Sequence, residues 1–107
     1  MKSSTSATSE LKLPPPGRAL SLTPAERSAL RARAHALNPV VMAGQGGLTD
    51  AVLLELERAL RAHELIKFKV AEGDRALREA MLQSVCDRLS AAPVQQIGRI
   101  LVLYRPK

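Results

Sequence analysis

Four residues, Gly44-Gln45-Gly46-Gly47, have the types and spacing to hold an anion. They stand between an apolar run, Pro39-Val40-Val41-Met42-Ala43, and a helix start at Thr49. A strand that breaks into glycines ahead of a helix N-terminus gathers unpaired backbone N–H groups where no side chain obstructs approach. Such a concavity suits a phosphate. Most glycine clusters are only turns, so the rest of the chain has to decide. It carries a formal charge of +6 and an isoelectric point near 10.3, which makes nucleic acid the natural source of phosphate. Two basic features accompany the turn. Arg27, Arg31 and His35 recur every four residues on one stripe of a helix, and Lys67 and Lys69 alternate with Ile66, Phe68 and Val70 on a strand. Each has a plain alternative, because charged helix faces usually serve solubility and strand lysines often guard against aggregation. Their coincidence with the glycine turn puts nucleic-acid binding modestly ahead of a protein-interaction adaptor. Nonspecific binding to any nucleic acid is the third reading.

Catalysis finds less support. His35 and His63 both fall on helices, neither beside Cys86, and no Ser/His/Asp arrangement emerges. Cys86 follows Leu82 by four residues and joins an apolar stripe, the place of an inert buried thiol. His63 stands at a helix end, where a cation complements the dipole. Neither histidine has a second ligand at metal spacing. The glycine turn lacks the Lys-Ser/Thr pair of a P-loop and the third glycine of a dinucleotide site, and Asp50 in the following helical turn would repel a compact polyphosphate. The expectation is therefore no enzyme, no cofactor and no metal. Aromatic residues make up 2% of the chain, which argues against modules that stack bases on aromatic platforms. Recognition then leans on backbone, charge and shape. The single cysteine allows no internal disulfide, no apolar stretch is long enough to span a bilayer, and no apolar core follows the N-terminal lysine as a secretory signal would need. A cytoplasmic protein, a monomer with no membrane partner, is expected.

The elements that must position these residues follow from local signals. Residues 1–21 read as a flexible tail, rich in serine and broken by Pro14-Pro15-Pro16-Gly17. The folded domain, 22–107, opens with Thr23, Pro24 and Glu26, a capping box with proline at the first helical position. That helix is expected to reach about Leu37, with Leu30, Ala34 and Leu37 as its apolar stripe. The run from Pro39 to Ala43 reads as a buried strand. Thr49 caps a second helix to about His63, with Val52, Leu53, Leu56 and Leu60 inward and Glu57 directed toward Arg61. Leu65 to Ala71 alternates as a strand with one basic, open face. Gly73-Asp74 turns the chain into a third helix, whose Leu77, Met81, Leu82, Val85 and Leu89 face the core. Val94 to Ile97 and Ile100 to Arg105 flank Gly98-Arg99 as an antiparallel hairpin. The order α-β-α-β-α-β-β predicts a two-layer α/β domain on a mixed four-stranded sheet, with the first helix packed as an extra piece.

Several segments together resemble a known family. Asn38-Pro39-Val40-Val41, Gly44-x-x-Gly47-Leu48-Thr49, His63-Glu64-Leu65-Ile66-Lys67-Phe68-Lys69-Val70, and Val94-Gln95-Gln96-Ile97-Gly98-Arg99 running on to Pro106 match, in order, the bacterial YhbY-like proteins. These are single-domain members of the CRM family (chloroplast RNA splicing and ribosome maturation). The resemblance implies an RNA-binding domain with a fold like the C-terminal domain of translation initiation factor three. It also implies association with ribosomal RNA in precursors of the large ribosomal subunit. The family's Gly-x-x-Gly loop, comparable to that of KH domains, falls on Gly44 and Gly47 and is taken to contact RNA. Relatives often carry a basic residue where this chain has Asn38, and basic or bulkier polar residues where it has Gln45-Gly46. That departure shifts electrostatic weight onto Arg31, Lys67 and Lys69.

Overall fold

The computed structural model describes residues 17–71 and 73–107. Three helices and four strands follow the expected order: α1 Pro24–Ala34, β1 Val41–Ala43, α2 Asp50–His63, β2 Leu65–Val70, α3 Arg75–Leu89, β3 Ala92–Ile97 and β4 Ile100–Tyr104. Each helix starts where a side chain accepts from an otherwise unpaired N–H. In α1 the capping box closes, with Glu26 N–H donating to Thr23 Oγ1 at 3.1 Å and Thr23 N–H donating to Glu26 Oε1 at 2.8 Å. Thr49 accepts from Val52 N–H at 3.2 Å, and Asp74 accepts from Leu77 N–H at 2.8 Å.

The strands form one mixed sheet in the order β1-β2-β4-β3. β1 runs parallel to β2, while β4 is antiparallel to both β2 and β3. β3 is therefore parallel to β2, and β4 fills the space that the β2-α3-β3 crossover leaves between them. The crossover helices α2 and α3 cover one sheet face. Leu53, Leu56, Leu60, Leu82, Val85 and Leu89 pack there on Ile66, Phe68, Val70, Leu101 and Leu103. On the opposite face α1 lays Leu30 and Ala34 against Leu65, Val94 and Val102, with Leu22 and Tyr104 at the margin.

Five local expectations need correction. Helix α1 stops at Ala34: Leu37 N–H reaches back to Ala34 O at 3.0 Å in a tightened turn, which takes Leu37 off the stripe and leaves it 36% exposed. The first strand is not buried throughout, because it lies at an edge; Val41 and Ala43 point into the core while Val40 and Met42 face out. Leu77, expected in the core, sits in the first turn of α3 and is half exposed, leaning over Gly73. The flexible tail expected through Ser21 does not extend over residues 17–21. Gly17 N–H donates to Asp87 O at 3.0 Å, Leu20 N–H to Ala91 O at 2.8 Å, and Ala19 N–H to the Asp87 carboxylate at 3.2 Å. Residues 1–16, on which the rest of that expectation falls, lie outside the described residues. Pro93 also falls inside β3 rather than ahead of it, tolerated because β3 is the other edge and is bulged between Pro93 and Gln95.

One ion-pair network ties the chain's end to the helices. Arg105 donates to the Glu57 carboxylate from Nη1 and Nη2, at 2.7 and 3.0 Å, and from Nη1 to Leu89 O at 2.9 Å. Arg61 Nε reaches the same carboxylate at 2.7 Å. Glu57 is the one buried charged residue among those described. Burial by itself would raise its pKa, but the hydrogen bonds and charges of Arg105 and Arg61 outweigh that and hold it below its ordinary value.

Candidate nucleic-acid interface

The glycine turn leaves β1 at the same end of the sheet as two other features. Ala71 N–H donates to Ala43 O and Val70 N–H donates to Arg99 O, each at 2.9 Å. The Gly44–Gly47 loop, the end of β2 and the Gly98-Arg99 turn between β3 and β4 therefore stand side by side. Within the loop Gly47 N–H donates to Gly44 O at 3.0 Å, closing a turn over Gln45 and Gly46, and Thr49 N–H donates to Gly47 O at 3.1 Å. The N–H groups of Gln45, Gly46 and Leu48 take no protein acceptor among the described residues. They lie at the N-terminal, electropositive end of α2.

The glycines differ in what requires them. Gly47 has φ +70°, a left-handed conformation that side chains disfavour. At Gly46 an added Cβ would come 3.3 Å from the Thr49 methyl. Gly44 has neither constraint: its φ is not positive, and nothing lies within 4 Å of where a Cβ would stand. No contact among the described residues accounts for the glycine there, whereas close approach by an outside group would.

The other expected residues are divided by strand order. Lys67 and Lys69 do share a face, opposite Ile66, Phe68 and Val70, and the crossover helices leave it uncovered. Helix α1 covers part of it instead. Lys69 is exposed near the glycine loop, while Lys67 is half-buried in a small recess with Arg31, Ala34, His35, Gln95 and Ile97. Among the described residues no carboxylate lines that recess, which suits an anion.

Arg27 and Arg31 part company. Arg31 is exposed and reaches the strip from Gln95 to Gly98, at the hairpin that adjoins the glycine-loop end. Arg27 is half-buried and stands with Glu79, Gln83 and Pro93. The short connection from Asn38 to Ala43 suggested that α1 would lie by the loop, but burial of Leu30 and Ala34 against Val94 and Val102 draws the helix across to β3, the edge opposite β1.

Sequence reasoning missed three cations. Arg75 and Arg78, on the first turn of α3, converge with Arg31 on Gln95 and Gln96 of the β3 edge, in a cleft that also contains Glu79. Arg99 is exposed on the hairpin turn beside the end of β2. The spacing of Arg75 and Arg78 put them on one helix face. Only the topology, with α3 leading into β3, brings that face to α1.

Comparison with known proteins is decisive at this point. The CRS1 / YhbY (CRM) domain matches residues 22–105. The chain belongs to that family. A Haemophilus influenzae protein named as RNA-binding is 51% identical over 85 residues, covering 79% of this chain and 86% of its own length. A Bacillus subtilis protein named as a probable RNA-binding protein is 32% identical over 84 residues, covering 78% and 88%. In three dimensions the CRM fold is shared with a Staphylococcus aureus protein solved in solution and suggested to bind RNA. The TM-score is 0.75 at 26% identity, over 81% of this chain and 91% of that one.

Proposed function

We propose that this protein binds RNA without catalysing a reaction, associates with precursors of the large ribosomal subunit and assists their assembly. The observation that carries the RNA reading is Gly44, a glycine that no contact among the described residues requires, beside loop N–H groups with no acceptor among those residues. Backbone donors at a helix start hold phosphate oxygens without reading bases; Lys69 and Arg99 bring positive charge beside them, and Arg31 adds to it farther along, at the β3 edge. The relatives named as RNA-binding support the same reading. Its ribosomal part rests on the family resemblance of the sequence motifs. On this account the protein acts in the cytoplasm as a monomer and needs no cofactor.

Two measurements test the proposal. Sedimentation of a tagged copy through a gradient of ribosomal particles should place it with precursors of the large subunit. Its affinity for structured ribosomal RNA should exceed that for duplex DNA, and the slope of log affinity against log salt concentration should shrink by about one unit for each phosphate contact removed. Equal affinity for both would favour a nonspecific nucleic-acid binder. Binding to neither would favour an adaptor for other proteins.

A further inference from the structure

The sheet face that α1 covers is open at its glycine-loop end. Strand register sets Met42 beside Lys69, Lys69 beside Ile100, and Ile100 beside Ile97. These four side chains form one row across the whole sheet, on the face opposite the α2/α3 core. At about 4.8 Å between strands, the row is roughly 14 Å long. Met42 is 59% exposed and Ile97 50%. Val40, on the same face and bonded through its N–H to Lys67 O, is 52% exposed. Three of the exposed large apolar side chains thus share one surface, whose Met42 stands two residues before Gly44 and whose Ile97 precedes Gly98.

We infer that this row is a docking surface for unpaired nucleobases of the RNA strand whose phosphates the glycine loop holds, an inference that rests on the RNA-binding reading above. Charge selects the occupant. Lys67 and Lys69 are the only charged side chains on the four strands. A second copy docked by a two-fold axis would set those lysines against each other with no carboxylate from the strands to offset them. A nucleic acid brings the complementary charge. An unpaired nucleotide also brings a base whose flat, weakly polar face covers aliphatic side chains, while its phosphate stays within reach of Lys69 and the loop. A duplex hides those faces in its own stack, so this row distinguishes unpaired from paired RNA.

The test uses the full chain, an RNA hairpin with a large unpaired loop, and a fully paired RNA of equal length. Met42→Ser and Ile97→Ser replace exposed side chains, so melting temperature should hold. Each should weaken hairpin binding roughly fivefold, at the low end of base-stacking contributions, and leave duplex binding unchanged. The chain contains no tryptophan, so Met42→Trp adds a single reporter at the row. Its fluorescence should be quenched by the hairpin and not by the duplex. Unchanged hairpin affinity in both serine variants, or equal losses for both RNAs, would overturn the inference while leaving RNA binding intact. Self-association of the unaltered protein that Met42→Ser abolishes would overturn it in favour of a second copy. Failure of the unaltered protein to bind either RNA would overturn the RNA reading, and this inference with it.

Discussion

Gly44 and Gly47 stand three residues apart and answer to different demands. Gly47 is held at φ +70°, so Gly47→Ala should cost about 1–2 kcal/mol of stability through backbone strain alone. Loss of RNA binding in that variant would mix folding with contact. Gly44→Ala separates them. A methyl group there meets open space, so the melting temperature should hold within the range of about 0.5 kcal/mol typical of surface changes. RNA affinity should fall about tenfold or more, because the methyl group holds the RNA backbone off the loop and forfeits about one charge-assisted hydrogen bond to its N–H groups. Parallel thermal melts and RNA titrations check both statements. Cys86 makes a simpler prediction. Burial, with a smaller push from the Asp87 charge, raises its thiol to about 12. The folded protein should therefore resist thiol reagents at pH 8 and react readily once unfolded in denaturant. From the sequence, the apolar stripe around Cys86 was enough to place it. Which glycine is structurally dispensable was not legible, because that depends on the loop's φ values and on the space around it.

Helix α1 is the element whose position sequence reading could not fix. Its start was legible because Thr23, Pro24 and Glu26 act within one turn. Its place depended on β3 being the edge strand far from β1, and nothing local encodes strand order. Charge reversal should now distinguish residues that seemed equivalent. Arg31→Glu removes an exposed cation from the hairpin strip and leaves a carboxylate beside Lys67, so RNA affinity should drop with little change in stability. Arg27→Glu would set a carboxylate at a half-buried position next to Glu79, so its main effect should be a lower melting temperature. Equal loss of RNA affinity per folded molecule in both variants would show that the helix acts as one basic stripe after all. Strand β2 was legible in full, since alternation alone puts Leu65, Lys67 and Lys69 on one face. That α1 would shield Lys67 and leave Lys69 open was not, because α1 binds through Leu65 and Val102, side chains from different strands.

At the scale of the whole molecule, the order of elements and the mixed sheet were readable from turn residues and periodicity, while the network that closes the domain was only half visible. The Glu57–Arg61 pair follows from i,i+4 spacing. Arg105 lies 48 residues from Glu57 and enters only through the fold. Because Glu57 has a lowered folded-state pKa, the stability it supplies is fully present above its ordinary value of 4.5 and is lost as pH falls through the folded value. Glu57→Gln should cost about 3 kcal/mol at neutral pH, toward the low end for a broken buried pair because Arg61 and Arg105 reach solvent. It should also remove this part of the acid sensitivity, as urea melts between pH 3 and 7 would record. The central claim is that this basic domain grips RNA by backbone groups at one end of its sheet. Amide chemical shifts of the full chain, followed by NMR as structured ribosomal RNA is added, test that claim most directly. The account predicts that the amides of Gln45, Gly46 and Leu48 move first and furthest, with Lys69 and Arg99 beside them, and that the shifts recede as salt is raised. Saturable RNA binding with those three amides unmoved would contradict it.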